Sequence, residues 1–153
     1  MEYSEGVRDT RLQNSEGDSM SDSVEKDVPE FDWVTGRAMC SLPVVFKQLK
    51  TSVKEDVMTR NGLRPIHSTY AFSVTDAGSS FTVVLEGNGV HKSIGFNLAE
   101  HAIVVKDEKG YQMFDVSVKF NEKGECRMIA NDESRELWEI RRMALEELLF
   151  RTF

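Results

Sequence analysis

The chain has 153 residues, 40% apolar and 29% charged, with a formal net charge of −7. That length suits one domain with an adequate core rather than two. The charge is unevenly placed: residues 1–30 hold nine acids against Arg8, Arg11 and Lys26, whereas the remainder holds 17 acids and 16 bases. A nearly neutral body lacks the basic face that a phosphate backbone requires, which argues against nucleic acid as a partner. No run of about 18 apolar residues occurs, and the first residues show neither a basic leader nor an apolar core behind it, so no membrane span and a cytoplasmic location are expected.

In chain order, residues 1–30 are rich in Ser, Glu, Asp and Gly and read as a disordered acidic tail, with residues 31–153 as a single domain. Met20 opens MSDSVEKD and is an alternative start. Phe31, Trp33 and Val34 announce buried surface, and a short strand is expected over 32–38. Cys40 and Cys126 are too few for a disulfide framework and lie in segments that favour apolar packing, which predicts reduced, buried thiols. Ser41 offers an N-cap hydroxyl and Pro43 fits the first helical turn. The helix that follows carries Leu42, Val45, Phe46, Leu49, Val53 and Val57 on one stripe. Asn61-Gly62 is expected to end it, with the glycine in a left-handed cap.

From about 68 to 130 the period becomes two, in six runs. They are carried by Tyr70, Phe72 and Val74; Phe81, Val83 and Leu85; Ile94, Phe96 and Leu98; Ile103 and Val105; Phe114 to Phe120; and Cys126 to Ala130. Between them lie Asp76-Ala77-Gly78, Asn88-Gly89, a turn near Glu100, and two copies of the pattern [DN]-E-K-G, at Asp107–Gly110 and Asn121–Gly124. Asp or Asn opens such a turn through its side chain, and glycine takes the positive-φ position. A six-stranded antiparallel meander follows. One face holds five of the nine phenylalanines, and the other is small and polar, so only the first needs a cover.

The cover is a C-terminal helix. Asn131 or Asp132 is the expected cap, and Leu137, Trp138, Ile140, Ala144, Leu145, Leu148 and Leu149 form its apolar stripe. Arg142 has Glu139 and Glu146 at pairing distance along the helix. Arg141 sits at the margin of the stripe, where it must snorkel, find a carboxylate or meet something anionic. The fold class is therefore α+β, an antiparallel meander packed on one face by an N-terminal and a long C-terminal helix.

Chemistry is sparsely marked. There is no G-x-S-x-G elbow, no glycine-rich phosphate loop, and no zinc spacing among His67, His91, His101 and the cysteines. No catalytic residue, metal or cofactor is assigned. A non-catalytic binding or protein-interaction domain is the leading expectation. Its face would be the polar side of the sheet, with Ser73, Thr82, Ser93, Asn97 and Ser117, docking a second copy in a homodimer or a protein partner. The element order is also similar to that of the helix-grip folds, which include the START-like lipid-transfer proteins. That resemblance implies a small hydrophobic ligand held between sheet and C-terminal helix, as cargo or as the substrate of an enzyme. The lining would come from Tyr70, Phe72, Phe96, Phe114 and Trp138, with Arg141 at the mouth and Tyr70 the residue placed to act on a substrate. The ordered part, about 120 residues with a single N-terminal helix, departs from the family, which usually has two helices there.

Overall fold

A helix that starts between a hydroxyl cap and a proline, and a run of glycine-closed hairpins, are the two local devices that shape this chain. The computed structural model describes residues 29–151, so the expected acidic tail and its alternative start lie almost wholly outside the described residues. The chain divides into Met1–Asp32 and Trp33–Phe153. The second unit contains α1 (Trp33–Met39), α2 (Leu42–Gly62), seven strands and α3 (Leu137–Phe150).

The stretch expected as a strand over 32–38 is instead helix α1, and none of its residues is buried. Phe31, Trp33 and Val34 are exposed at 58%, 62% and 58%. A strand must borrow hydrogen-bond partners from a neighbour, whereas a helical turn satisfies its own backbone, and this segment takes the local solution. Helix α2 begins as its sequence requires. The Ser41 Oγ accepts the Val44 N–H at 3.4 Å, and Pro43 occupies the first turn. Its buried stripe is Val45, Phe46, Leu49, Val53, Val57 and Arg60. The C-terminus departs from expectation, because the helix runs through Gly62 and is capped at Leu63, with φ −94. The Leu63 N–H reaches back to Thr59 O at 3.2 Å and Arg60 O at 3.1 Å. Tightening of the last turn satisfies the orphan carbonyls without a left-handed residue.

The strands are β1 (Ala71–Asp76), β2 (Ser80–Gly87), β3 (Val90–Leu98), β4 (Ile103–Asp107), β5 (Gln112–Phe120), β6 (Cys126–Ala130) and β7 (Glu133–Arg135). They form one antiparallel sheet in the order β1-β2-β3-β4-β5-β6-β7. The connections follow the sequence signals. Asn88 and Gly89 both have positive φ, 54 and 74, as a two-residue hairpin turn demands. In the paired [DN]-E-K-G turns, Asp107 Oδ1 accepts the N–H groups of Lys109 and Tyr111, and Asn121 Oδ1 those of Lys123 and Glu125. Gly110 and Gly124 close them at φ 84 and 79. The strand β7 was not expected. Asn131 and Asp132, read as a helix cap, have φ 53 and 63 and turn the chain into one more short strand. The cap of α3 is Glu136, whose N–H donates to Glu139 Oε1 at 2.7 Å.

Alternation puts the phenylalanine register against both long helices. Phe72, Phe81, Phe96 and Phe114 join Phe46, Leu49, Val53, Ile140 and Leu145 in one buried cluster. Phe81 stacks on Phe96 with ring centroids 4.6 Å apart and meets Phe46 at 5.3 Å. Phe72, Phe96 and Phe114 are no more than 6% exposed. Helix α2 also blocks the edge of the sheet. Asn61 behaves as a surrogate strand, its Oδ1 accepting the Phe72 N–H at 3.0 Å and its Nδ2 donating to Phe72 O at 2.8 Å. Lys50 and Lys54 hold Asp76 at the other end of β1, at 2.9 and 3.0 Å. The Asp76 carboxyl is consequently held well below the usual carboxylate range, first by the Lys50 hydrogen bond, then by the Gly78 backbone N–H and Lys54.

The cysteine expectation is overturned. Cys40 and Cys126 form a disulfide, with Cα atoms 5.4 Å apart and a sequence separation of 86. Cys40 is buried, but Cys126 is exposed. The register explains the pairing: Cys126 lies opposite Phe120 on the helix-covered face, at the sheet's end where α2 starts. Cys40 is buried as its segment implied, and Cys126 is not.

A candidate docking cleft between the two long helices

Helices α2 and α3 lie on the same face of the sheet, and a cleft opens along the line where they meet. Arg141 settles the question its position raised. Its Nε donates to Asp56 Oδ2 across the helix pair at 2.6 Å, so it has found a carboxylate. Near the other end, Arg60 continues the α2 stripe (Val53, Val57, Arg60) and is only 9% exposed. Its Nε donates to Leu149 O at 2.8 Å, satisfying one of the carbonyls left open at the C-terminus of α3. The guanidinium carbon lies 5.0 Å from the Phe150 ring centroid and 5.3 Å from that of Phe72, close enough for cation–π attraction.

Trp138 does not belong to the buried stripe. Residues four apart on a helix share a row, and its row continues through Arg142 and Glu146, which face outward. It is accordingly 54% exposed. A cleft of about 390 Å³ opens on one side of it, walled by Asp56, Arg60, Leu63, Arg141, Leu145 and Phe150 among others. A second of about 350 Å³ lies on the other side, with Met143, Glu147 and Arg151. Trp138, Arg142 and Glu146 line both. The floor is apolar, since Leu145 and Leu149 are buried beneath it, and Leu63 and Phe150 stand exposed at its rim at 69% and 60%.

Of the six residues expected to line a ligand cavity, Trp138 and Arg141 are brought together in this cleft. Tyr70, Phe72, Phe96 and Phe114 are instead spent in the packed core. The expected interaction residues do share the open face of the sheet. Ser73 and Ser93 both pair with Val84, Thr82 pairs with Gly95, Asn97 with Val104 and Ser117 with Ile129. Ser73, Asn97 and Ser117 are exposed, and Thr82 and Ser93 half-buried. The histidines are not gathered: His91 Nδ1 meets Glu86 at 2.9 Å, and His101 lies 3.8 Å from Glu100. Among the described residues no group of three or more His, Cys, Asp or Glu side chains is placed to hold a metal, and no helix is long and apolar enough to cross a membrane.

Sequence reasoning missed Arg60, Leu63 and Phe150. For Arg60 a signal existed, because the three-and-four spacing of the α2 stripe lands on it. Leu63 caps α2 and Phe150 is the last residue of α3, where the fraying period no longer says which way a side chain points. The chain matches no protein-family model, and no curated protein or solved structure is significantly similar to it.

Proposed function

We propose that this domain is a non-catalytic protein-interaction module that receives its partner at the cleft between α2 and α3. The observation that carries the reading is Trp138, a large aromatic side chain left 54% exposed on a helix with a cleft on each side. Tryptophan and arginine are the residues that most often dominate binding at protein interfaces, and here Arg142 is the next member of the tryptophan's row. The lining of the larger cleft favours binding over reaction. Its two carboxylates are engaged by guanidinium groups, Asp56 by Arg141 and Glu146 by both Arg142 and Arg151. The alternative of a small hydrophobic ligand rests on Trp138 and Arg141 alone, because the other residues it calls on fill the core. A homodimer through the open sheet face remains the competing interaction surface, with Ser73 at its centre of interest.

Site-specific photo-crosslinking separates these surfaces. A photoreactive phenylalanine at position 138 should capture a protein partner in cells that make this chain, and the same group at position 73 should not. Crosslinks from position 73 to a second copy would move the interface to the sheet, and absence of any protein adduct at 138 would sink the cleft reading.

A further inference from the structure

We infer that the disulfide is an exchange site, at which a low-molecular-weight thiol forms a reversible mixed disulfide with Cys126 and Cys40 is the thiol that resolves it. This is independent of the cleft between α2 and α3. Three observations carry it. The two cysteines differ in access: Cys40, at the α1–α2 junction, is 4% exposed, whereas Cys126, the first residue of β6, is exposed. A thiolate must reach one sulfur to displace the other, so access decides which is attacked, and a thiol arriving from solvent meets Cys126. The bond also lies outside the packing that holds the fold. Neither cysteine belongs to the buried cluster between sheet and helices, and Phe120–Cys126 is the terminal pair of the β5–β6 ladder. Opening the bond therefore removes a cross-link and leaves the core filled, so the open form is less stable but still folded. Finally, Cys40 is held in place when the bond opens. Its N–H donates to Arg37 O at 3.2 Å, its carbonyl accepts from Arg37 Nη1 at 3.3 Å, and the next residue, Ser41, caps α2. A thiol fixed there, its Cα 5.4 Å from that of Cys126, is placed to return. These are the chain's only two cysteines, so no other thiol of its own competes.

The exchange balances without a further oxidant. The incoming thiolate sulfur bonds to Cys126 Sγ as the bond to Cys40 Sγ breaks, and the electron pair leaves on Cys40 as its thiolate. In the reverse step the Cys40 thiolate attacks Cys126 Sγ, the disulfide re-forms and the small thiolate is expelled. A second molecule of thiol can instead attack the sulfur of the bound one. That releases the small disulfide and leaves two reduced cysteines, the thiol being oxidised as the protein is reduced.

The test treats the oxidised full chain with reduced glutathione under native conditions, quenches samples with acid at intervals, and reads adducts by intact mass and peptide mapping. The rate of opening should rise in proportion to glutathione, and adducts should favour Cys126 over Cys40 by at least about tenfold. When glutathione is removed, the wild-type adduct should vanish as Cys40 closes the bond. The Cys40→Ser variant, loaded at Cys126 with oxidised glutathione, should keep its adduct until a reductant is added. If that variant does not fold, the wild-type rates and adduct sites still decide. An opening rate that levels off at the rate of unfolding would overturn the exchange site, because the bond would then be reached only in unfolded chains. Adducts first on Cys40, or none on Cys126 at any time, would overturn it as well. A wild-type adduct as long-lived as that of Cys40→Ser would remove the resolving role of Cys40.

Discussion

Removing the disulfide should be the most damaging change that leaves every core side chain in place. The bond joins the α1–α2 junction to β6 across 86 residues. Closing a loop of that size removes roughly 15 cal/mol/K of entropy from the unfolded chain, equivalent to about 4–5 kcal/mol of stability at room temperature. Engineered removals often return less, so a loss of about 2–5 kcal/mol is expected for Cys126→Ser, whose side chain is at the exposed end of the bond. The assay is urea unfolding of oxidised wild type, reduced wild type and Cys126→Ser. The last two should coincide, with a steeper urea dependence than the oxidised protein because an uncrosslinked chain exposes more surface. A loss below about 1 kcal/mol would refute the reasoning. So would two titratable thiols in protein isolated without reductant, an outcome that the cytoplasmic expectation favours and the disulfide opposes.

Three further changes test the packing and electrostatics. Gly87 has φ 128, and a Cβ there would lie 2.2 Å from Thr69 O, so Gly87→Ala should cost on the order of 3 kcal/mol in urea unfolding; Gly95, where a Cβ would meet only Thr82 Oγ1 at 3.8 Å, should accept alanine at no loss. Asp76 has a depressed pKa in the folded state, so its stabilising contribution is present above about pH 4 and disappears as the pH falls below the unfolded value. Asp76→Asn should therefore flatten the decline of thermal stability below that pH, and an unchanged decline would show that the Lys50 and Lys54 bridges do not matter. Trp138→Ala should lose about 1–2 kcal/mol, because half the side chain is already in water, whereas Ile140→Ala, at a position 1% exposed, should lose about 2–5 kcal/mol.

The parts of the fold that were legible in the sequence are those with a local physical cause. Ser41 and Pro43 start α2, the alternation of Phe72 through Val118 fixes which face is covered, and the [DN]-E-K-G turns set the hairpins. What was not legible depends on partners distant in sequence. Trp33 and Val34 looked like strand residues until no strand was there to pair with them. Asn131 and Asp132 are equally good helix caps and turn formers, and only the presence of β6 as a template decides between the two. Cys40 and Cys126 meet because strand register and helix placement agree, which no spacing rule encodes. At the site, Arg141 was flagged by its position on the stripe, and the structure supplied its partner, Asp56. Trp138 was assigned to the wrong face, because apolar character outweighed the row it shares with Arg142 and Glu146.

The cleft between α2 and α3 as a protein-binding surface is tested most directly by native mass spectrometry of the chain gently isolated from cells, beside its Trp138→Ala variant. A macromolecular partner retained by the wild type and lost from a folded Trp138→Ala variant is the predicted result. A partner retained equally by both, or an added mass of a few hundred daltons in place of any protein, would contradict it.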